Sequence, residues 1–265
     1  MSFLLLGSLA CGLFAGVIAG LFGVGGGILI VPVLLFLFHL DGINPAISMQ
    51  LAVGTSLATI VITNISATWN HHLRNGVHWT SVQQYIPGIL LGAWLGSQLA
   101  ALISGKILIQ MFGGFEILVG MKMIHASHAQ TSQPLNCSEK LNPFIALAVG
   151  TISSMFGIGG GTLTVPALTL ITGLPMPQAV GSASAIGLAL ALAGSLGHVQ
   201  AGWHHPDLPT NALGFLLPSA FLGIIAGTLS TTPLGVRLAH SLNPVRLKRG
   251  FGVFLALVGL KLIWW

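Results

Sequence analysis

The chain is short of charge. Only 5% of its 265 residues are Asp, Glu, Lys or Arg, where a soluble domain carries roughly 25%. A surface so poor in charge does not stay in water, so the soluble classes are excluded. Acidic residues are Asp41, Glu116, Glu139 and Asp207. They offer no paired carboxylates, and no Ser/His/Asp constellation stands beside them, so nothing points to an enzyme. There are two cysteines, Cys11 in an apolar run and Cys137 in a polar one. They make neither a disulfide framework nor a metal site. Nine basic residues give a net charge of +5. They form no patch with interleaved aromatics, which argues against a nucleic-acid partner. The first basic residue is Arg74, so the apolar N-terminus lacks the basic region of a signal peptide. Residues 3–20 are expected to stay as a first membrane helix.

What the chain has is long apolar sequence. Hydrophobic residues make up 54%, and the mean hydropathy is +0.91. A membrane span needs about 20 apolar residues. Eight stretches qualify, at about 3–38, 45–69, 82–103, 106–124, 142–172, 176–198, 209–231 and 246–265. The expected fold is an all-α polytopic membrane protein embedded in a lipid bilayer. Residues 1–124 and 142–265 would be two repeats of four segments, joined by a polar linker at 125–141.

The repeat is explicit at a glycine-rich motif. Phe22-Gly23-Val24-Gly25-Gly26-Gly27, followed by Pro32, recurs 134 positions on as Phe156-Gly157-Ile158-Gly159-Gly160-Gly161, followed by Pro166. Val53-Gly54-Thr55-Ser56 aligns with Val180-Gly181-Ser182-Ala183 at an offset of 127, which also places His71 on His198. Three consecutive glycines disfavour a helix interior by about 1 kcal/mol each. Each motif is therefore read as a break in the first segment of its half. Irregular backbone at membrane depth is tolerated only inside protein or beside a cavity, and paired breaks point to a transporter's binding site. A dinucleotide-binding loop would need a preceding strand and a βαβ unit, and here the flanks are long apolar helices.

A half-helix that starts at such a break presents unpaired N–H groups and the positive end of its dipole, which suits a small anion. The expected binding residues are Gly23, Gly25, Gly26 and Gly27, with Gly157, Gly159, Gly160 and Gly161. Thr55, Ser56 and Ser182 join them as hydroxyls at or beside matching positions. Bonding of a hydroxyl to its own helix backbone is the competing reading for each. Glu116 lies inside an apolar segment, as a proton carrier or as a structural partner of a basic residue. His71 and His198 are the candidate proton relays. No His, Cys or carboxylate spacing supports a metal, and no cofactor is expected. With eight crossings, Arg237, Arg246, Lys248 and Arg249 would share one side with Lys106. By the positive-inside rule that side is cytoplasmic and both termini lie outside.

The duplicated Phe-Gly-x-Gly-Gly-Gly motif with its proline, the Gly54-Thr55-Ser56 run and the two-half layout resemble the sulfite exporter TauE/SafE family over essentially the whole chain. The second half departs from it with Gly181-Ser182-Ala183. The resemblance implies a permease for small sulfur-containing anions, such as sulfite or organosulfonates, in a bacterial inner membrane. It is compatible with alternating access around a midplane site and with a homo-oligomer. A passive channel and a non-transporting subunit are the alternatives.

Overall fold

The computed structural model describes residues 2–22, 26–125, 141–239 and 244–264. Ten α-helices and no strand occur among them: α1 Ser2–Phe22, α2 Gly27–Leu40, α3 Pro45–Leu73, α4 Trp79–Leu102, α5 Gly105–His125, α6 Asn142–Phe156, α7 Gly161–Ile171, α8 Met176–Gly202, α9 Pro218–Ala239 and α10 Pro244–Ile263. Four of the described helices, α3, α4, α5 and α8, are both long and apolar enough to cross a membrane. Large apolar side chains stay exposed along the bundle, among them Leu102, Phe144, Leu118 and Leu196, as a lipid-facing surface requires. Exposed tryptophans mark both ends, Trp69 and Trp79 at one and Trp203 and Trp264 at the other, the positions of an interfacial belt.

The chain directions follow from which backbones touch. A Cβ on Gly12 would strike Ile224 and one on Gly16 would strike Thr228, so α1 and α9 run side by side in the same direction. Gly88 abuts Pro143, and Gly96 abuts Thr151, so α4 and α6 are also parallel. Gly113 meets Gly259, and Gly120 meets Gly252, so α5 and α10 are antiparallel. Gly54 lies on the Cβ of His198 and Gly181 on the Cβ of His71, so α3 and α8 are antiparallel. These four pairs, with α4 on α8, α2 on α3 and α7 on α8, make up the main helix packing. Close backbone approach is the main source of attraction where the surroundings are as apolar as the side chains.

Beside the four long helices α3, α4, α5 and α8, α9 and α10, of 22 and 20 residues, lie along α1 and α5. The remaining two pairs turn back. A Cβ on Gly7, early in α1, would come within 2.7 Å of Leu37, late in α2. Asn142 at the start of α6 and Thr172 just beyond α7 line one cavity. Each pair is thus a hairpin whose two outer ends lie together. Of the eight apolar stretches, the first and the fifth are therefore hairpins of two helices. A stretch such as 142–172 is long enough to cross once, but a left-handed cap reverses it. Gly157 closes α6 at φ 66°, with its own N–H on Ser154 O and that of Ile158 on Ser153 O. A side chain strains that conformation and glycine does not.

Helix starts also differ from the apolar runs. The run expected from 209 begins as α9 only at Pro218. The preceding residues form a loop whose Phe215 packs against Gly54 and Gly202. Apolarity marked burial there, and the helix starts where proline occupies the first turn.

Candidate functional site

The two hairpin tips meet at mid-length of α3 and α8. Gly26 caps α2 at φ 74° and accepts from the N–H groups of Leu29 and Ile30, both at 3.0 Å. A Cβ on Gly27 would lie 2.5 Å from Gly157 O, 2.8 Å from Ile60 and 3.1 Å from Gly159 N. One on Gly160, the cap of α7, would lie 2.9 Å from Gly187 Cα on α8. Gly159 makes only ordinary contact with Ile60, at 3.4 Å, and Gly161 opens α7 half-buried. Gly23 and Gly25 lie outside the described residues. The described glycines of the two motifs are therefore one neighbourhood, close-packed through bare backbone.

One face of α3 frames this neighbourhood, with Ser56, Ile60 and Asn64 one turn apart. Ser56 Oγ donates to Gly157 O at 2.9 Å. The Asn64 amide lies 2.7 Å from where a Cβ on Gly187 would stand, beside Gly160. Thr164, completely buried, holds its Oγ1 3.2 Å from the Cβ position of Gly160, with no hydrogen-bond partner. Thr162 Oγ1, Ser153 Oγ and Ser154 Oγ are likewise buried and unpartnered. Asn64 is one of the polar groups of the second apolar segment that the sequence offers as donors to an anion, whereas Thr164 is not offered by it. Their signal was available, since each is polar where its repeat counterpart, Ala191 or Ile30, is apolar.

Thr55 and Ser182 are brought to equivalent places, though not to the tips. Thr55 Oγ1 accepts from Leu217 N–H at 3.0 Å, and Ser182 Oγ accepts from His78 N–H at 2.8 Å. Each holds the chain entering a helix of the other half, α9 or α4. Thr59, Thr63, Ser184 and Ser195 bond to carbonyls of their own helices, the competing reading for such hydroxyls. His71 and His198 stand at opposite ends of the α3–α8 pair. His198 Nδ1 engages Gly194 O at 2.9 Å, and its buried Nε2 has no partner. Glu116 is buried in α5 with neither oxygen bonded. Its neighbour Phe115 lies against Phe156 at the α6 tip, ring centroids 5.4 Å apart. Among the described residues, no three His, Cys, Asp or Glu side chains group as metal ligands. A polar cavity of about 370 Å³ opens at the outer end of α6 and α7, lined by His78, Ser81, Gln84, Asn142 and Thr172 among others.

Comparison with known proteins decides the family. The family described as "Sulfite exporter TauE/SafE" matches residues 8–262. The chain belongs to the sulfite exporter TauE/SafE family. Members of this family are membrane transporters, not enzymes. Similar proteins include a "Probable membrane transporter protein" of Haemophilus influenzae, 33% identical over 96% of this chain and 96% of its own length. Another, of Xylella fastidiosa, is 33% identical over 97% of this chain and 94% of its own. A third, of Methanocaldococcus jannaschii, is 27% identical over 95% and 92%. No solved structure matches the chain. The helix tips thus belong to a multi-pass membrane transporter of this family.

Proposed function

We propose that this chain carries small sulfur-containing oxyanions, such as sulfite or organosulfonates, across a bacterial inner membrane by alternating access around the hairpin tips. The observation that carries the reading is the meeting of the α2 start with the 157–161 turn at mid-length of the long helices. Helix N-termini offer N–H donors without a counter-charge, and bare glycine lets an oxyanion reach them. Gly26, Gly27, Gly159, Gly160 and Gly161 frame the site, Ser56 fixes the turn, and Glu116, His71 and His198 are the groups available for proton coupling.

The mechanism uses two repeats. Residues 1–124 and 142–265 are read as homologous halves, each made of a hairpin and three crossings. An odd number of crossings inverts the second half, the arrangement suited to rocking about a central site. The exchange of contacts supports it: α1 lies on α9 as α6 lies on α4, and Gly54 meets His198 as Gly181 meets His71. On the same count the basic residues divide differently between the two ends. Arg74, Lys122, Arg237, Arg246, Lys248 and Arg249 fall at the end where α6 begins, and Lys106 and Lys261 at the other. By the positive-inside rule the richer end is cytoplasmic, and both termini are outside.

The test is counterflow in proteoliposomes. Vesicles preloaded with unlabelled sulfite or thiosulfate should take up labelled anion faster than empty ones. Equal uptake by both would indicate a channel. No uptake of sulfite, thiosulfate or methanesulfonate above protein-free vesicles would end the transporter reading for these anions.

A further inference from the structure

Resting on the anion-transport reading, we infer that the anion is held by one hairpin tip, the start of α7, with Thr164, Thr162 and Asn64 as its side-chain ligands, and that the matching tip of α2 is an apolar plug. The two tips share a backbone plan but not a chemistry. Around α7 stand Thr162 and Thr164, with Asn64 reaching across from α3. The positions that correspond by the repeat offsets around α2 are Ile28, Ile30 and Ala191. Ser153 and Ser154, before the α6 cap, correspond to Ala19 and Gly20. Glu116, on the helix whose Phe115 touches Phe156, corresponds to Leu255, which packs with Ile28 and Leu29.

Burial makes the difference meaningful. Thr164 is 0% exposed with an unpartnered hydroxyl, and Thr162 Oγ1 is unpartnered as well. Buried polar atoms are nearly always bonded, and an exception calls for an absent partner. Threonine hydroxyls and the Asn64 amide are donors, as are the free N–H groups at the α7 start. All of them complement one multi-oxygen anion. Ile28 and Ile30, 2% and 1% exposed, supply no polar side-chain atom at the other tip. The bare α8 face at Gly187 gives Gly160 room to approach, whereas the corresponding position on α3 is Ile60, whose side chain lies against Gly27 and Gly159.

The experiment is titration of sulfite, thiosulfate and methanesulfonate into purified protein, read by ligand-dependent melting temperature. The variants are Thr164→Val, Thr162→Val, Asn64→Leu and, on the α2 tip, Ile28→Val and Ile30→Val. Losing a donor to an anion weakens Kd by about tenfold or more. Thr164→Val and Asn64→Leu are expected to do so, with Thr162→Val as the second, isosteric check should either fail to fold. The α2-tip variants are expected to stay within about twofold of the parent. Parent binding with all three α7-side variants unaffected overturns the assignment and leaves the transport reading standing. Equal losses from the α2-tip variants also overturn it. Failure of the parent to bind any of the three anions removes the transport reading, and this assignment falls with it.

Discussion

At the residue scale, the hydroxyls divide into those of α3 and α8 that hold backbone and those of α6 and α7 that await a partner. Thr55 and Ser182 belong to the first kind. Each accepts an N–H from chain outside its own helix, and Thr55 does so in a fully buried setting. Thr55→Val keeps the shape but strands Leu217 N–H. It is expected to lower stability by about 1–3 kcal/mol, read as a fall in melting temperature in detergent, and Ser182→Ala should act in the same direction at His78. Anion affinity should change little, because these hydroxyls stand away from the tips. Ser56→Ala is different: it frees Gly157 O at the turn itself, so affinity should fall along with stability. A Ser56→Ala protein with parent affinity would show that the turn needs no such tether. The Thr55–Ser182 correspondence was legible from the repeat offset. That both serve as acceptors for incoming loops was not, because a sequence does not show which N–H arrives.

At the element scale, helix pairing rests on glycine placement, and α5 offers an internal comparison. A Cβ on Gly113 would come within 2.7 Å of Gly259 O, while one on Gly114 would meet nothing within 4 Å. Gly113→Ala is expected to cost about 1–3 kcal/mol through overpacking against α10. Gly114→Ala should be neutral or stabilising by about 0.5–1 kcal/mol, since alanine favours helix over glycine. Unfolding of the two variants under one denaturant series checks this, and equal effects would mean that the α5–α10 contact is looser than its geometry. Glycines recur every four residues at 88, 92 and 96 and at 12 and 16, the spacing of one helix face that another backbone can approach. Their partners, α6 and α9, lie far along the chain, so nothing local named them.

At the scale of the whole molecule, the two hairpins decide which loops share a side. A single cysteine in place of Ser104, in a background with Cys11 and Cys137 replaced by serine, should react with an impermeant maleimide from outside the cell. One in place of Thr80 should react only in inverted vesicles. Both residues are exposed, so the contrast reports sidedness rather than burial; the reverse pattern would overturn the assigned orientation.

Composition alone determined that the chain is helical and lies in a membrane, because 5% charge and long apolar runs leave water no surface to solvate. Local chemistry also marked Gly157 as a place where regular helix is costly. Tertiary structure decided the rest. Whether a run of thirty apolar residues crosses once or doubles back depends on the partner its glycines meet, as Gly7 meets Leu37 and Gly27 meets Gly157. Which polar groups reach the tips depends on helix faces brought together from opposite halves, as Asn64 of α3 is brought to Gly187, which itself lies against Gly160. Apolar burial is nondirectional and can be read residue by residue, whereas close backbone contact and donor placement are properties of pairs that only the folded chain defines.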